Sequence, residues 1–165
     1  MDPGRKHAGM TRRAARRLPG MDPYTIFADI VAGRAPASKV YEDSDVLAFM
    51  DIRPLTPGHV LVVPKVRARS LSELDPEIGA ALFRVGQRLA AALRASEVNC
   101  DGVNLFLADG VTAGQEVFHV HLHVIPRTPG DGFGLRARPT SPPRADLDYL
   151  AASIRVALRR AVPDA

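Results

Sequence analysis

Residues 118–127 read Phe-His-Val-His-Leu-His-Val-Ile-Pro-Arg, so that three of the five histidines of the chain alternate with aliphatic residues. Successive side chains of a β-strand point to opposite faces of the sheet. A strand would therefore place His119, His121 and His123 on one face and the aliphatic residues on the other, where they can pack on a core. The β-branched residues favour a strand, and we expect Pro126 to end it because proline cannot donate to the ladder.

A row of histidines on one strand face has three interpretations. It can be a solvated surface that happens to contain histidine, a metal site, or a site for anionic chemistry. In the last case histidine acts as nucleophile, proton carrier or hydrogen-bond donor to phosphate. The strict periodicity disfavours the plain surface, but the spacing alone does not separate the other two.

The composition is that of an ordinary single domain. The chain has 165 residues and a mass of 17.8 kDa, with 46% apolar and 24% charged residues. It contains no apolar run near the roughly 20 residues needed to cross a bilayer, and no apolar segment typical of a secretory signal. Cys100 is the only cysteine and cannot form an internal disulfide, which favours a reducing compartment. We therefore expect a cytoplasmic protein.

The basic charge of the chain is concentrated at its N-terminus. Residues 1–20 contain six arginines or lysines and one aspartate, a net charge of +5, so the rest of the +4 chain sums to −1. We interpret residues 1–20 as a disordered basic tail, because they hold few large apolar side chains. The near-neutral remainder has no basic face with interleaved aromatic residues. We therefore expect neither a specific nucleic-acid partner nor a membrane partner.

The pattern beyond the tail predicts an α+β fold. Proline follows aspartate at residues 22–23 and 75–76, which is an N-cap signal for a short helix and for a long helix with an apolar stripe. Leucine and isoleucine between residues 147 and 158 mark a third, amphipathic helix. These features imply a domain over residues 21–130, followed by an irregular segment and the last helix in residues 131–165. Strands are predicted at residues 39–42, 46–51, 59–64 and 102–108, and in the histidine stretch that begins at Phe118 and ends at Pro126.

Polar residues and glycines are predicted to meet near the histidines. Gly110 and Gly114 precede the histidine strand, and their lack of a side chain allows backbone N–H groups to approach phosphate closely. Gln115 follows them and can offer its amide to a phosphate oxygen. Asp51 and His59 lie at the ends of neighbouring predicted strands, where Asp51 can accept hydrogen bonds from both hydroxyls of a ribose or cap a turn.

These stretches together resemble the histidine triad (HIT) family. The resemblance covers most of the folded chain, from Tyr24 to Arg127, and its most specific feature is the Gly-Gln pair ahead of the alternating histidines. The earlier part is similar to the Hint branch of the family and the loop before the histidines to the Fhit branch. The matching segments are residues 41–52 (YEDSDVLAFMDI), 57–65 (PGHVLVVPK) and 113–123 (AGQEVFHVHLH).

Membership of this family would imply a five-stranded antiparallel sheet within the α+β fold, with one long and one short helix plus a C-terminal helix. It would also imply a homodimer whose sheets join, with a nucleotide as the binding partner and no cofactor. The activity implied is that of a nucleotide hydrolase or transferase. Such an enzyme acts at the α-phosphate of adenosine conjugates, either phosphoramidates or dinucleoside polyphosphates, through a nucleotidyl-histidine intermediate.

The same resemblance implies a role for each site residue. His121 would be the nucleophile, while His119 and His123 would stabilise the phosphoryl oxygens. His59 would be a further catalytic residue that helps to position the phosphate. The binding residues implied are Gly110, Gly114 and Gln115 for the phosphate, Asp51 for the ribose, and Phe27 and Ile52 for the base.

The chain departs from the family in three places. Many bacterial relatives carry Cys-x-x-Cys near the first helix and bind zinc there, whereas residues 25–28 read Thr-Ile-Phe-Ala. We therefore expect no structural zinc and no other metal. Ala108 stands where an asparagine is common in the Hint branch. Glu116 stands where Ser or Thr is frequent, and its carboxylate would disfavour an anionic polyphosphate leaving group by like-charge repulsion.

Two other functions are open from the sequence. A nucleotide-binding regulatory protein with little turnover is the alternative, although the intact triad favours an enzyme. The other is a zinc hydrolase that uses the three histidines as ligands. Alternate positions of one straight strand place its outer ligands about 13 Å apart, too far for one ion with bonds near 2.0–2.1 Å.

Overall fold

The structure is a computed structural model that describes residues 21–135 and 137–161. The predicted basic tail, residues 1–20, lies outside the described residues. None of the described helices is long and apolar enough to cross a membrane. The helices are α1 (Ile26–Val31), α2 (Pro76–Ala95) and α3 (Arg144–Ala161), and the strands are β1 (Lys39–Glu42), β2 (Val46–Met50), β3 (Val60–Pro64), β4 (Gly102–Leu107) and β5 (Leu122–Arg127).

The five strands form one antiparallel sheet in the order β1-β2-β3-β5-β4. The turn between β1 and β2 is held by Asp43, whose Oδ1 accepts hydrogen bonds from the backbone N–H groups of Asp45 and Val46. Such a side-chain bond closes a tight turn without glycine. The predicted α+β fold, with a five-stranded antiparallel sheet and long, short and C-terminal helices, is confirmed.

The two faces of the sheet are covered by different helices. The long helix α2 packs its apolar stripe on one face, where Gly86 lets it approach closely, because a Cβ there would lie 2.9 Å from Cδ2 of Leu122. The short helix α1 packs Phe27 and Ile30 on the opposite face. Because side chains alternate along each strand, the second face takes the other half of the strand residues. These are Leu47, Phe49, Leu61 and Val63.

The observed strand β5 covers only part of the alternating histidine pattern. β5 begins at Leu122, so His119 and His121 lie in the irregular segment ahead of it. The backbone N–H of Val120 donates to the carbonyl oxygen of Ala68 at 2.7 Å, which is in the segment after β3 rather than in a sheet strand. The alternation of faces nevertheless holds, because Val120 and Leu122 are both buried in the cluster beneath α2.

The prediction that Pro126 ends the strand is wrong, since β5 continues to Arg127 and Pro126 pairs with Val103 of β4. The hydroxyl of Thr56 donates to the carbonyl oxygen of Pro126 at 2.7 Å. That carbonyl therefore points away from β4, and so does the proline nitrogen, because both backbone groups of a strand residue face one side. The ladder between β3 and β5 has already ended at Val60, so no ladder bond is lost.

Four predicted boundaries move by a few residues. β2 ends before Asp51, β3 begins after His59, and β4 ends before Ala108. Asp51, His59 and Ala108 therefore lie just outside the strands, at the sheet end or in a loop. The helix α1 begins at Ile26 rather than after Asp22, because Asp22 closes a preceding turn through hydrogen bonds from the residues that follow it.

The described chain divides into two compact units, residues 21–133 and residues 134–161. The second unit contains α3, in which no described side chain is buried. Asp146 lies in its first turn, and Arg159 and Arg160 lie in its last, which suits the helix dipole. The predicted domain boundaries at residues 20 and 130 stay predictions.

Candidate active site

The histidines lie where β5 begins, on the face of the sheet that carries α1. His123 is the second residue of β5 and stands directly opposite Leu61 of β3 and Phe106 of β4. Residues that pair across antiparallel strands share a face. Because Leu61 belongs to the cluster beneath α1, the ring of His123 is on that same face.

His121 is held in a single tautomer by its own chain. Its Nδ1 lies 2.7 Å from the backbone carbonyl oxygen of His119. A carbonyl oxygen only accepts hydrogen bonds, so Nδ1 carries the proton and Nε2 keeps its lone pair. The ring is 5% exposed and packs edge-on against Phe27, with ring centroids 5.2 Å apart. Nε2 of His121 therefore has the unprotonated lone pair that a nucleophile requires.

The ring of His119 forms a hydrogen bond with the backbone. Its Nε2 donates to the carbonyl oxygen of Pro64 at 2.8 Å, and the side chain is buried. The ring of Phe27 lies edge-on to it. The backbone carbonyl of His119, rather than its ring, is therefore the group that contacts His121.

His59 and His123 form a direct pair. Nε2 of His59 lies 2.9 Å from Nδ1 of His123, and the backbone N–H of Leu55 donates to Nδ1 of His59 at 3.2 Å. Because that Nδ1 accepts, a neutral His59 carries its proton on Nε2 and donates it to His123. A neutral His123 then carries its own proton on Nε2. The Asp51 carboxylate lies 3.6 Å from Nδ1 of His59.

Burial keeps these imidazoles neutral. It lowers the pKa of His59, His119 and His121 below the ordinary histidine value, because the charged form loses solvation. The carbonyl partners of His119 and His121 oppose this shift only in part. Burial and the two neighbouring histidines lower the pKa of His123 to about 3. All four rings are therefore neutral near pH 7, in agreement with their hydrogen-bond partners.

A glycine-containing loop precedes the histidines. Gly110 and Gly114 have φ angles of +90° and +96°, and a turn of 3-10 helix over Val111–Ala113 lies between them. Gln115 is buried beneath this loop. Its Oε1 accepts from the N–H of Gly110, and its Nε2 donates to two carbonyl oxygens, those of Arg69 and Val117. Both amide hydrogens are thus engaged, so Gln115 fixes the shape of the loop and does not present its amide outward in this structure.

Of the three residues expected to bind the nucleoside, two contact the histidines and one is exposed. Asp51 follows β2, and its backbone N–H donates to the carbonyl oxygen of His59 at 3.0 Å. This bond joins the two ends of the loop between β2 and β3. Phe27 contacts the rings of His119 and His121. Ile52 is 67% exposed on the loop after Asp51. The structure therefore brings Asp51 and Phe27 to the histidines and leaves Ile52 exposed on the surface.

Two features of this region escaped the sequence analysis. Arg53 forms an ion pair with Glu116, with 2.8 Å between Nη2 and Oε2. Tyr24, ahead of α1, stacks on Phe118 with ring centroids 4.8 Å apart, and the guanidinium of Arg69 lies over the Tyr24 ring. These partners are far apart in the chain, and no spacing or motif marks them.

Asp51, His59 and His123 are the one group in residues 21–135 and 137–161 whose geometry could hold a metal ion, with ligand atoms within 4.8 Å of one another. Both ring nitrogens of His59 and Nδ1 of His123 already have hydrogen-bond partners. A cation would have to displace these bonds. His119 donates to Pro64, so the three triad rings do not converge on one point as zinc ligands would.

The chain is similar to a known protein family and to several of its members. Residues 32–130 match the family model of the HIT domain. A HIT-like protein of Borreliella burgdorferi is 46% identical over 112 residues, which is 67% of this chain and 81% of that protein. The adenylylsulfatase HINT3 of Arabidopsis thaliana is 36% identical over 106 residues, covering 64% of this chain and 53% of that protein.

Solved structures share the fold. A HIT family protein from Bacillus anthracis superposes with a TM-score of 0.75 at 43% identity, covering 80% of this chain and 95% of that chain. A histidine triad nucleotide-binding protein from Candida albicans also gives a TM-score of 0.75, at 28% identity, covering 83% of this chain and 99% of that chain.

Proposed function

This chain belongs to the HIT family, and from that premise we propose that it is a nucleotidyl hydrolase or transferase acting at the α-phosphate of adenosine conjugates. The observation that carries the proposal is the tautomer of His121, because the bond from Nδ1 to the His119 carbonyl leaves Nε2 free to attack phosphorus. The conjugates are phosphoramidates or dinucleoside polyphosphates.

The reaction has two displacements. Nε2 of His121 attacks the α-phosphorus, and the bond from phosphorus to the leaving nitrogen or oxygen breaks with its electron pair. A phosphoramidate leaving group takes up a proton and departs as an amine. Water or another acceptor then attacks the phosphorus of the nucleotidyl-histidine, and the phosphorus–nitrogen bond to His121 breaks. When water is the acceptor, it loses a proton and the products are the free nucleotide and the restored histidine. Two displacements replace one difficult step by two easier ones.

The neighbouring residues orient and stabilise this chemistry. His123 directs its Nε2–H at the phosphoryl oxygens, since its Nδ1 is occupied by His59. His119 acts through its backbone carbonyl on His121, and its ring braces the segment against Pro64. The loop between Gly110 and Gly114 binds phosphate through the backbone N–H groups of Val111 and Thr112, because those of Gly110, Ala113 and Gly114 donate within the loop. Gln115 holds that loop in shape.

The nucleoside part of the substrate lies toward α1. Asp51 accepts the ribose hydroxyls, and Phe27 and Ile52 border the base. The names of two relatives support an adenylyl or nucleotide ligand, namely the adenylylsulfatase of Arabidopsis thaliana and the nucleotide-binding protein of Candida albicans.

We also propose a homodimer joined at β4. In the described residues β4 is an edge of the sheet, and an open edge readily pairs with another strand. Phe83 of α2 and Phe106 of β4 are large apolar side chains that are exposed. Sedimentation equilibrium should give twice the chain mass of 17.8 kDa. A monomer would contradict the dimer without affecting the proposed chemistry.

The experiment that tests the function is capture of the intermediate. The protein is mixed with adenosine 5′-phosphoramidate, quenched, digested and examined by mass spectrometry, and we expect an AMP adduct on the peptide that contains His121. Turnover with an adduct elsewhere would contradict the nucleophile. Binding of AMP with no turnover of any conjugate would instead favour a nucleotide-binding regulatory protein.

A further inference from the structure

We propose that the ion pair between Arg53 and Glu116 selects the leaving group, an inference that rests on the proposed function. The two residues are separated by 63 positions in the chain, and their charged atoms are 2.8 Å apart. The pair connects the loop after β2 with the segment between the glycine loop and the histidines. It therefore links two parts of the chain that flank the candidate active site.

Both partners lie next to residues of the candidate site. The backbone N–H of Arg53 donates to Oδ1 of Asp51 at 2.8 Å, and the other carboxylate oxygen of Asp51 lies 3.6 Å from His59. Glu116 stands between Gln115 and Val117, which are joined by a hydrogen bond from the Gln115 amide to the Val117 carbonyl. Arg53 is thus tied to Asp51 beside His59, and Glu116 lies three residues before His119 in the chain.

The side chains themselves are free to exchange partners. Those of Arg53 and Glu116 are 51% and 55% exposed. An exposed ion pair contributes little to stability, because water screens its charges and two long side chains lose conformational freedom. A charged substrate group can therefore displace either partner at small cost.

The sign of the leaving group decides which partner it meets. Arginine binds phosphate oxygens through its fork of N–H groups, so a polyphosphate competes with Glu116 for Arg53. An ammonium group on an amine leaving group competes with Arg53 for Glu116. The sequence suggested that Glu116 alone repels polyphosphates. The structure changes this interpretation, because Arg53 neutralises Glu116, so that the preference depends on the balance of the two charges.

Charge removal from each partner tests the proposal. Glu116→Gln, Arg53→Gln and the double variant are assayed on diadenosine tetraphosphate and on the Nε-phosphoramidate of adenosine with lysine amide, whose leaving amine carries an ammonium group and no carboxylate. Each kcat/KM is divided by that for adenosine 5′-phosphoramidate, which has an uncharged leaving group. Lys39→Gln is the matched control, because it removes one charge from an exposed ion pair with Glu42 on β1.

We expect Glu116→Gln to raise the ratio of tetraphosphate to lysyl activity about tenfold and Arg53→Gln to lower it about tenfold, as for one charge pair near a protein surface. The double variant should return close to wild type, and Lys39→Gln should leave the ratio unchanged. An unchanged ratio in either single variant, or an equal loss on all substrates, would overturn the inference and leave the function standing. No turnover of any conjugate by the wild type would overturn both.

Discussion

The Nδ1 atom of His121 lies 2.7 Å from the carbonyl oxygen of His119, two residues earlier in the same chain. The contact is local, yet it forms only because the chain ahead of β5 is irregular. In a regular strand the carbonyl of His119 would lie in the plane of the sheet and the ring of His121 would stand away from that plane. The late start of the strand at Leu122 thus gives the candidate nucleophile its tautomer.

Replacement of His121 should stop the reaction and spare the fold. We expect His121→Gln, close in size and polarity, to lower kcat by about 10³-fold or more, because an amide cannot form the covalent intermediate. The measurement is kcat with adenosine 5′-phosphoramidate, with circular dichroism as the control for folding. A folded His121→Gln protein with near wild-type kcat would refute the nucleophile assignment.

His59 should act through His123. We expect His59→Ala to lower kcat by about 10–100-fold and His59→Gln to recover part of that loss, because glutamine can present an N–H near the position of the His59 Nε2. KM should change less than kcat, since the effect is on the orientation of His123. Equal losses in the two variants would show that His59 serves packing alone.

The stability of the protein should depend on pH through the buried histidines. Their folded pKa values lie below the ordinary histidine value of about 6.5, and that of His123 is about 3. Between these values the unfolded chain binds more protons than the folded chain, so the free energy of unfolding falls as the pH drops below about 6.5. Each such histidine contributes a slope of up to about 1.4 kcal/mol per pH unit.

Urea unfolding at about pH 7.5 and about pH 5 measures this slope. His123→Gln should have a shallower dependence than wild type, because one depressed group is removed. A free energy of unfolding that stays constant or rises toward pH 5 in the wild type would contradict the neutral, buried state of these rings.

Gly58 should be required for the stability of the fold. Its φ is +90°, and a Cβ at this position would lie 2.6 Å from Cγ1 of Val98. We expect Gly58→Ala to lower the free energy of unfolding by about 1–3 kcal/mol and the Tm by several degrees.

Gly130→Ala is the matched control, because Gly130 also has a positive φ, +74°, but its Cβ would meet nothing within 4 Å. Its loss should be smaller and confined to backbone strain. Equal losses in the two variants, measured by thermal unfolding, would mean that the Val98 contact is unimportant.

Much of the fold follows from local sequence patterns. The apolar stripe of α2 and the alternation around β5 each depend on residues that are close in the chain, and a periodic pattern of this kind predicts both the element and its buried face. The candidate residues of the site could also be named from the sequence, because the alternating histidines and the preceding Gly-Gln are contiguous. The hydrogen-bond partners of these residues could not be predicted in the same way.

The sequence by itself determined the α+β fold, the faces of its main elements and the identity of the histidines, because these depend on periodicity and residue chemistry. Only the tertiary structure decided which atoms meet. His59 reaches His123 across 64 positions, and Arg53 reaches Glu116 across 63. Such contacts depend on strand order, on register and on where a strand begins. These properties are set by the packing of the whole sheet and leave no local signal in the chain.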